Sequence, residues 1–363
     1  MLSRIQTAKS KKADKMQRHS MDLHTKNLLP IVFLILLTVL SPLLLTGCAA
    51  DQNNAEKPAN SGPAQSPNKL VIADQFGLAY APVEILKATD LLSSALAKRG
   101  LADVTVEYKR LGNTAAIREA MVSGDLDIGF VAIPPFLIGK DRGMDWRIIT
   151  GLSESPMALV TKDPELYDLR DLTSAHRILL PQPGSVQHIL LSMYAEKTLK
   201  DPKAFDNQLM AMSHPDAMMA MMNGPNTQLH FTSPPYLEQE LAQEGYKVLI
   251  DGEAIMNGPF TFIVGICPQR VYDNTPLYEA FEEALSGAIT FMNETPEEAI
   301  AILSKAYDYS EADLRLYLSN PQLRFDKQVQ GLEVFHDFMS RTGVIRTSEN
   351  MKDFFWSSKE YEN

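Results

Sequence analysis

The sequence predicts an α/β protein built as two lobes, and three observations carry that reading. Beyond residue 69, short apolar runs alternate with amphipathic segments in the order strand, helix, strand, helix, strand, the pattern of a sheet covered by helices. The alternation breaks at Lys162-Asp163-Pro164 and then starts again, so the same kind of unit occurs twice without a sequence repeat. After the second series a lone apolar run, 260–267, reads as a strand returning to the first unit. The chain of 363 residues is long enough for two such domains beyond its N-terminal region.

The elements follow in order. Leu70-Val71-Ile72-Ala73 is a short buried strand that ends at Asp74-Gln75-Phe76-Gly77. A helix is expected over 81–98, with Pro82 tolerated in its first turn and Val83, Leu86, Leu91 and Leu92 on its apolar face. Alternation over 104–108 gives a strand. Asn113 or Thr114 caps the next helix, which carries Ile117, Ala120 and Met121 on one side. Gly124 ends it, and a short strand runs into the expected loop Ala132-Ile133-Pro134-Pro135. Runs 146–150 and 157–161 read as two further strands of the first unit. The second unit reads as strand 177–180, helix 186–199, strand 207–212, helix 215–222, strand 228–231, helix 236–244 and strand 247–250. Beyond Asn274 the chain is mainly helical to Arg341, with helix starts at Thr275-Pro276 and Thr295-Pro296. In parallel sheets of this kind a ligand lies off the carboxyl ends of the strands. In the first unit those ends are 74–80 and 131–135.

Upstream lies a segment of another character. Arg4, Lys9, Lys11, Lys12, Lys15, Arg18 and Lys26 precede an almost wholly apolar run, 28–45, followed by Leu45-Thr46-Gly47-Cys48. A basic stretch, an apolar stretch and small residues describe a secretory signal. The last four residues resemble the cleavage site of bacterial lipoproteins, which implies that 1–47 is removed and that Cys48 carries the lipid. A retained transmembrane anchor fits less well, because the run falls slightly short of the roughly 20 apolar residues a span needs and contains Pro30 and Pro42. Residues 48–68, rich in Asn, Ala, Gln, Ser, Gly and Pro from Asp51 to Pro67, read as a disordered tether.

Charge and cysteine usage exclude some classes. Taking the seven Lys/Arg and two Asp/Glu of the signal from totals of 34 and 45 leaves a formal charge of −16. No basic cluster remains to follow phosphates, so nucleic acid is not expected as a partner. With Cys48 lipidated, no disulfide framework is expected, and Cys267, within its apolar run, is expected to pack as a small hydrophobe. His176, His188, His214 and His230 lack metal-ligand spacing. Met218, Met219, Met221 and Met222 fall at helix spacing and read as core. No glycine-rich phosphate loop or serine-nucleophile elbow occurs. Neither a cofactor nor a metal is expected, and no catalytic residue is assigned.

Gln75-Phe76-Gly77-Leu78-Ala79-Tyr80-Ala81-Pro82, Gly124-Asp125-Leu126-Asp127-Ile128-Gly129-Phe130, Pro134-Pro135 and Gly184-Ser185-Val186-Gln187-His188 together carry a family resemblance. With the lipidation signal, the chain resembles the substrate-binding lipoproteins of ABC importers in the nitrate/sulfonate/bicarbonate/taurine group, over about 69–355. The resemblance implies a type II periplasmic-binding-protein fold, with lobe 1 formed by 69–162 and 258–363 and lobe 2 by 163–257. It implies hinge crossovers near 161–164 and 257–261, and a monomer that is lipid-anchored outside the membrane. It implies closure on a small ligand and delivery to a permease with its ATPase subunit.

Under that reading five loops meet at the cleft. Phe76, Gly77 and Tyr80 come from the first, Ile133 and Pro134 from the second. Phe76 and Tyr80 either stack on a ligand or pack the lobe. Ser185, Gln187 and His188 open a helix whose N-terminus offers an anion site, with a simple cap as the other reading of Ser185. His188 fits a supporting or core position equally well. His214 and Asp216 open another helix, and Thr232 and Ser233 complete the set. The ligand expected is a small organic anion of the sulfonate kind, with a neutral pyrimidine or thiamin precursor as the alternative. An enzyme or a sensor on the same fold is the remaining alternative.

Overall fold

The computed structural model describes residues 68–346 and 349–356. The signal, Cys48 and nearly all of the tether lie outside the described residues. Two five-stranded mixed sheets form the frame. The first has the order β2 (Thr105–Arg110), β1 (Lys69–Asp74), β3 (Ile128–Ala132), β10 (Thr261–Cys267), β4 (Arg147–Glu154). The second has the order β7 (Leu209–Ala211), β6 (Arg177–Leu180), β8 (Gln228–Thr232), β5 (Ala158–Thr161), β9 (Lys247–Asp251). In each, three strands run parallel: β2, β1 and β3 in one, β7, β6 and β8 in the other. The strand by which the chain enters each sheet from the other lobe runs antiparallel to both its neighbours: β10 to β3 and β4, β5 to β8 and β9.

Two sequence readings change here. The sheets are mixed rather than parallel, because each entering strand arrives from the opposite side. Strand β5, assigned from sequence to the first lobe, pairs in the second sheet. The first crossover therefore lies at Ser155-Pro156-Met157, between β4 and β5, and not at 161–164. The chain returns between Asn257 and Phe260, ahead of β10.

Helices cover both sheets. The segment read as one helix over 81–98 is two, α1 (Ala81–Ala88) and α2 (Leu91–Lys98). Thr89 breaks it: its backbone is extended, at φ −125° and ψ 164°, and its hydroxyl donates to the Ile85 carbonyl. Helix α3 (Thr114–Val122) starts at Asn113, whose Oδ1 accepts from the Ala116 N–H. The stretch read as a loop at 132–135 is the start of α4 (Ile133–Asp141). Pro134 and Pro135 sit in its first turn, where a missing N–H costs no intrahelical bond. In the second lobe come α5 (Val186–Leu199), α6 (His214–Asn223), α7 (Tyr236–Leu241) and α8 (Gly252–Met256). After β10 follow α9 (Gln269–Tyr272), α10 (Thr275–Glu294), α11 (Pro296–Tyr307), α12 (Glu311–Leu318) and α13 (Leu332–Arg341). Among the described residues no helix is long and apolar enough to cross a membrane.

The first lobe's core is mainly aliphatic, with aromatic pairs at its centre. Phe130 of β3 meets Phe281 of α10 at 6.3 Å between ring centroids, and Phe136 meets Trp146 and Phe354. Cys267 is buried at the end of β10 among this packing. The lobes touch directly. The Leu78 N–H donates to the Pro234 carbonyl (3.1 Å), the Ala115 N–H to Gln182 Oε1 (3.3 Å), and Arg341 of α13 grips Glu196 of α5 with two bonds of 2.6 and 2.9 Å.

Candidate functional site

A cavity of about 40 Å3 lies between the lobes, at the carboxyl ends of β1, β3 and β6. The first lobe supplies Gln75, Phe76, Tyr80, Gly112, Thr114, Ala132 and Pro135 together with Phe262 of β10. The second supplies Pro181, Gln182, Ser185, Val186, Gln187 and His214. The wall carries no Lys, Arg, Asp or Glu, so any charge selectivity comes from dipoles and hydrogen bonds.

Two helices begin at this wall, one from each lobe. On α5 the Ser185 hydroxyl accepts from the His188 N–H (3.3 Å) and caps the first turn. On α3 the Ala115 N–H takes the Gln182 side-chain oxygen from across the cleft. A helix start leaves its first N–H groups without intrahelical acceptors and carries the positive end of the dipole. The Gln182 oxygen thus sits where an acceptor from outside the helix belongs. Gln75 is held by its amide, whose Nε2 donates to Thr114 Oγ1 (3.3 Å) and the Phe130 carbonyl (3.1 Å).

Behind the first-lobe wall is a compact ion cluster. Asp74 Oδ2 accepts from Lys87 (2.8 Å) and Arg110 (3.2 Å), and Glu84 Oε1 accepts from both as well. Arg110 also lies over the Phe76 and Tyr307 rings, 5.9 and 5.7 Å from their centroids. Its guanidinium is therefore spent on two carboxylates and two rings and is absent from the cavity wall. Burial, with Asp74 nearby, holds the Tyr80 phenol well above its usual range, so Tyr80 meets the cavity as a neutral hydroxyl.

A second buried array stands behind the other wall. His214 Nδ1 lies 2.9 Å from His230 Nε2, and His230 Nδ1 lies 2.6 Å from Glu240 Oε1. His214 Nε2 lies 3.2 Å from the Gln187 amide nitrogen, and Tyr236 stacks on the His214 ring at 5.7 Å. Burial drives both imidazoles towards neutrality, with His230 lowered to about 3. The same burial pushes Glu240 up to about 8. Among the described residues no group of three or more His, Cys, Asp or Glu is arranged to hold a metal ion.

Of the residues singled out from sequence, Phe76, Tyr80, Ser185, Gln187 and His214 meet at the cavity. The others stand away from its wall. Gly77 makes the turn beneath, at φ +122°; a Cβ there would come within 3.3 Å of the Pro234 carbonyl, and its own carbonyl accepts from Tyr307. Ile133 and Pro134 are buried in α4, while their neighbours Ala132 and Pro135 face the cavity. His188 turns aside: its Nδ1 accepts from the Gly184 N–H (2.9 Å) and its Nε2 lies 3.1 Å from Asp206 Oδ1. Asp216 is exposed and accepts from the Ser213 hydroxyl, so it does not cap α6 with its side chain. Thr232 and Ser233 are buried at the end of β8, beside the interlobe contact at Pro234. The sequence reading missed Gln75, Thr114 and Gln182. All three sit just past a strand end or at a helix start, the positions that the strand-end rule favours.

No protein-family model and no curated protein matches this chain by sequence. Solved structures do match it. The periplasmic aliphatic sulphonate binding protein SsuA from Escherichia coli aligns over 80% of this chain and 93% of its own, at 19% identity and a TM-score of 0.62. The alkanesulfonate-binding protein SsuA from Xanthomonas axonopodis pv. citri, bound to MOPS, aligns over 81% and 99%, at 17% identity and a TM-score of 0.65. A Candida albicans gene product described as exhibiting the generic periplasmic binding protein structural fold aligns over 81% and 94%, at 16% identity and 0.61. The likeness is one of fold: the chain has the periplasmic-binding-protein fold.

Proposed function

We propose that this chain is an extracytoplasmic solute-binding protein of an ABC importer, lipid-anchored through Cys48, that captures a small organic anion of the sulfonate kind between its lobes. One observation carries the anion reading: the starts of α3 and α5, from opposite lobes, converge on a small cavity whose wall carries no Lys, Arg, Asp or Glu. Such ends attract negative charge and supply N–H donors. A sulfonate's three oxygens match donors arriving from two sides, and Phe76 and Tyr80 suit a short organic portion. The structural likeness to sulfonate-binding proteins supports the same choice. The protein acts as a monomer that binds without chemistry, and its closed form is what the permease with its ATPase recognises.

The uncharged amides Gln75, Gln182 and Gln187 favour a second reading, a neutral heterocycle such as a pyrimidine precursor. A thermal-shift panel of alkanesulfonates, taurine, nitrate, bicarbonate and hydroxymethylpyrimidine separates the two. A ligand at 100 times its dissociation constant stabilises by about 2.7 kcal/mol, a rise of several degrees. A rise confined to sulfonates, lost in the double variant Ser185→Ala/Gln187→Ala, is the expected result. A rise from the pyrimidine alone overturns the anion reading.

A further inference from the structure

Glu240, His230, His214 and Gln187 form an unbroken buried file from the interior of the second lobe to the cavity. The side chains of His230 and Glu240 are fully buried, and the steps along the file are 2.6, 2.9 and 3.2 Å. We propose that Glu240 is a positioning residue for the ligand site: through His230 and His214 it sets which end of the Gln187 carboxamide faces the cavity.

The logic is a count of protons. A neutral imidazole has one N–H and one bare nitrogen, so each ring passes on the polarity it receives. With Glu240 protonated, its O–H donates to His230 Nδ1. His230 Nε2–H then donates to His214 Nδ1, and His214 Nε2–H points at Gln187. The amide must accept there through its oxygen, which leaves its NH2 for the cavity. With Glu240 ionised every bond reverses. Both rings carry their proton on Nδ1, Gln187 donates to His214 Nε2, and its carbonyl oxygen turns away from the file. The first arrangement offers donors to an anion, the second offers it an acceptor.

The Gln187 amide stands with its nitrogen towards His214 Nε2, the polarity of the ionised form, whereas the surroundings of Glu240 favour the protonated form, in which that amide is turned over. Glu240 Oε2 is buried without a hydrogen-bond partner. A bare carbonyl oxygen costs less there than half of a carboxylate. The titratable groups facing it are His230 on β8, Tyr246 ahead of β9, whose hydroxyl donates to the Met221 carbonyl, and His214 on α6. Lys162, beyond β5, spends its ammonium on the Met221 and Gly224 carbonyls, and Asp216 of α6 is exposed. Burial raises the carboxyl into the range where ordinary pH changes would ionise it.

The test is imidazole 15N–1H NMR on the labelled protein, which identifies the protonated nitrogen in each ring without any ligand. The proposal expects both His214 and His230 as Nε2–H tautomers at pH 6. It expects both to convert together to Nδ1–H as pH rises through about 8. The Gln187 side-chain NH2 resonance, assigned by its loss in Gln187→Leu, is expected to move over the same interval. In Glu240→Gln, a neutral isostere, the conversion disappears. Rings that hold the Nδ1–H form throughout, that convert independently, or that convert alike in Glu240→Gln overturn the proposal. The wild-type titration decides the matter even if that variant does not fold. The consequence for binding rests on the anion reading of the cleft. Ethanesulfonate affinity is expected to fall about tenfold between pH 7 and pH 9 in wild type and to stay level in Glu240→Gln. Ethanesulfonate that binds at no pH, with the tautomer conversion intact, overturns the anion reading and supports the relay.

Discussion

Glu240 and His230 place opposite limits on stability as pH changes. The carboxyl rises from 4.5 to about 8 on folding, so below pH 4.5 it is protonated in both states and has no effect. As pH climbs, the unfolded chain ionises first, and native stability falls until the folded carboxyl ionises as well. The His230 ring falls from 6.5 to about 3, so its penalty grows as pH drops through that interval, when only the unfolded ring takes a proton. Glu240→Gln is expected to remove the alkaline limb alone. Scanning calorimetry should find its Tm several degrees above wild type at pH 9 and level with it at pH 5. Of this array the sequence reading placed Gln187 and His214 at the cleft, considered His230 only for metal-ligand spacing and did not single out Glu240. Their alignment was not legible, because Glu240 and His230 come together only when α7 folds back across β8. The same holds for Arg110, whose two carboxylates lie at the end of β1 and within α1.

Individual elements were legible wherever periodicity and capping agreed. Strands β1, β6 and β8 and helix α5 fall within a residue or two of their sequence readings. Helix α4 was hidden because Pro134-Pro135 suggests a loop, although both prolines fit a first turn. That helix also packs closely at its one glycine. A Cβ at Gly139 would lie 1.8 Å from the Trp146 ring, which itself packs on Phe136. Gly139→Ala must push the indole aside, and it is expected to cost about 1–3 kcal/mol. Urea denaturation should report this as a lower midpoint at unchanged slope. Strand β5 was placed in the wrong lobe for a different reason. Periodicity identifies a strand without its partners, and only three residues separate β4 from β5.

At the scale of the molecule the two lobes meet through direct bonds, the Arg341–Glu196 pair among them. Arg341 and Glu196 are both partly exposed, so their pair contributes about 0–1 kcal/mol. Reversing one charge does more than removing it, because closure then brings like charges together. Arg341→Glu is expected to weaken ligand affinity two- to tenfold, with the loss shrinking in high salt, as isothermal titration calorimetry would record. Two lobes, the return strand and the position of the cleft were legible because they follow from alternation and strand ends. The cavity's polar wall was only half legible, since the strand-end rule marks the segments that hold Gln75, Thr114 and Gln182 but not which side chains in them face the other lobe.

The place of β10 has a consequence in time. This strand lies in the middle of the first sheet, between β3 and β4, yet residues 155–260 separate it from β4 along the chain. The second sheet, by contrast, is drawn from one continuous stretch, β5 to β9. A chain emerging from its N-terminus can therefore complete the second lobe while the first still has an open seam at its centre. Closing that seam joins segments more than a hundred residues apart, the slow kind of contact. Until it closes, β3 and β4 present unpaired backbone to any passing strand. The last strand to arrive makes one sheet of two fragments, so the lobe whose strands come first in the chain order β1 to β10 is the one finished last.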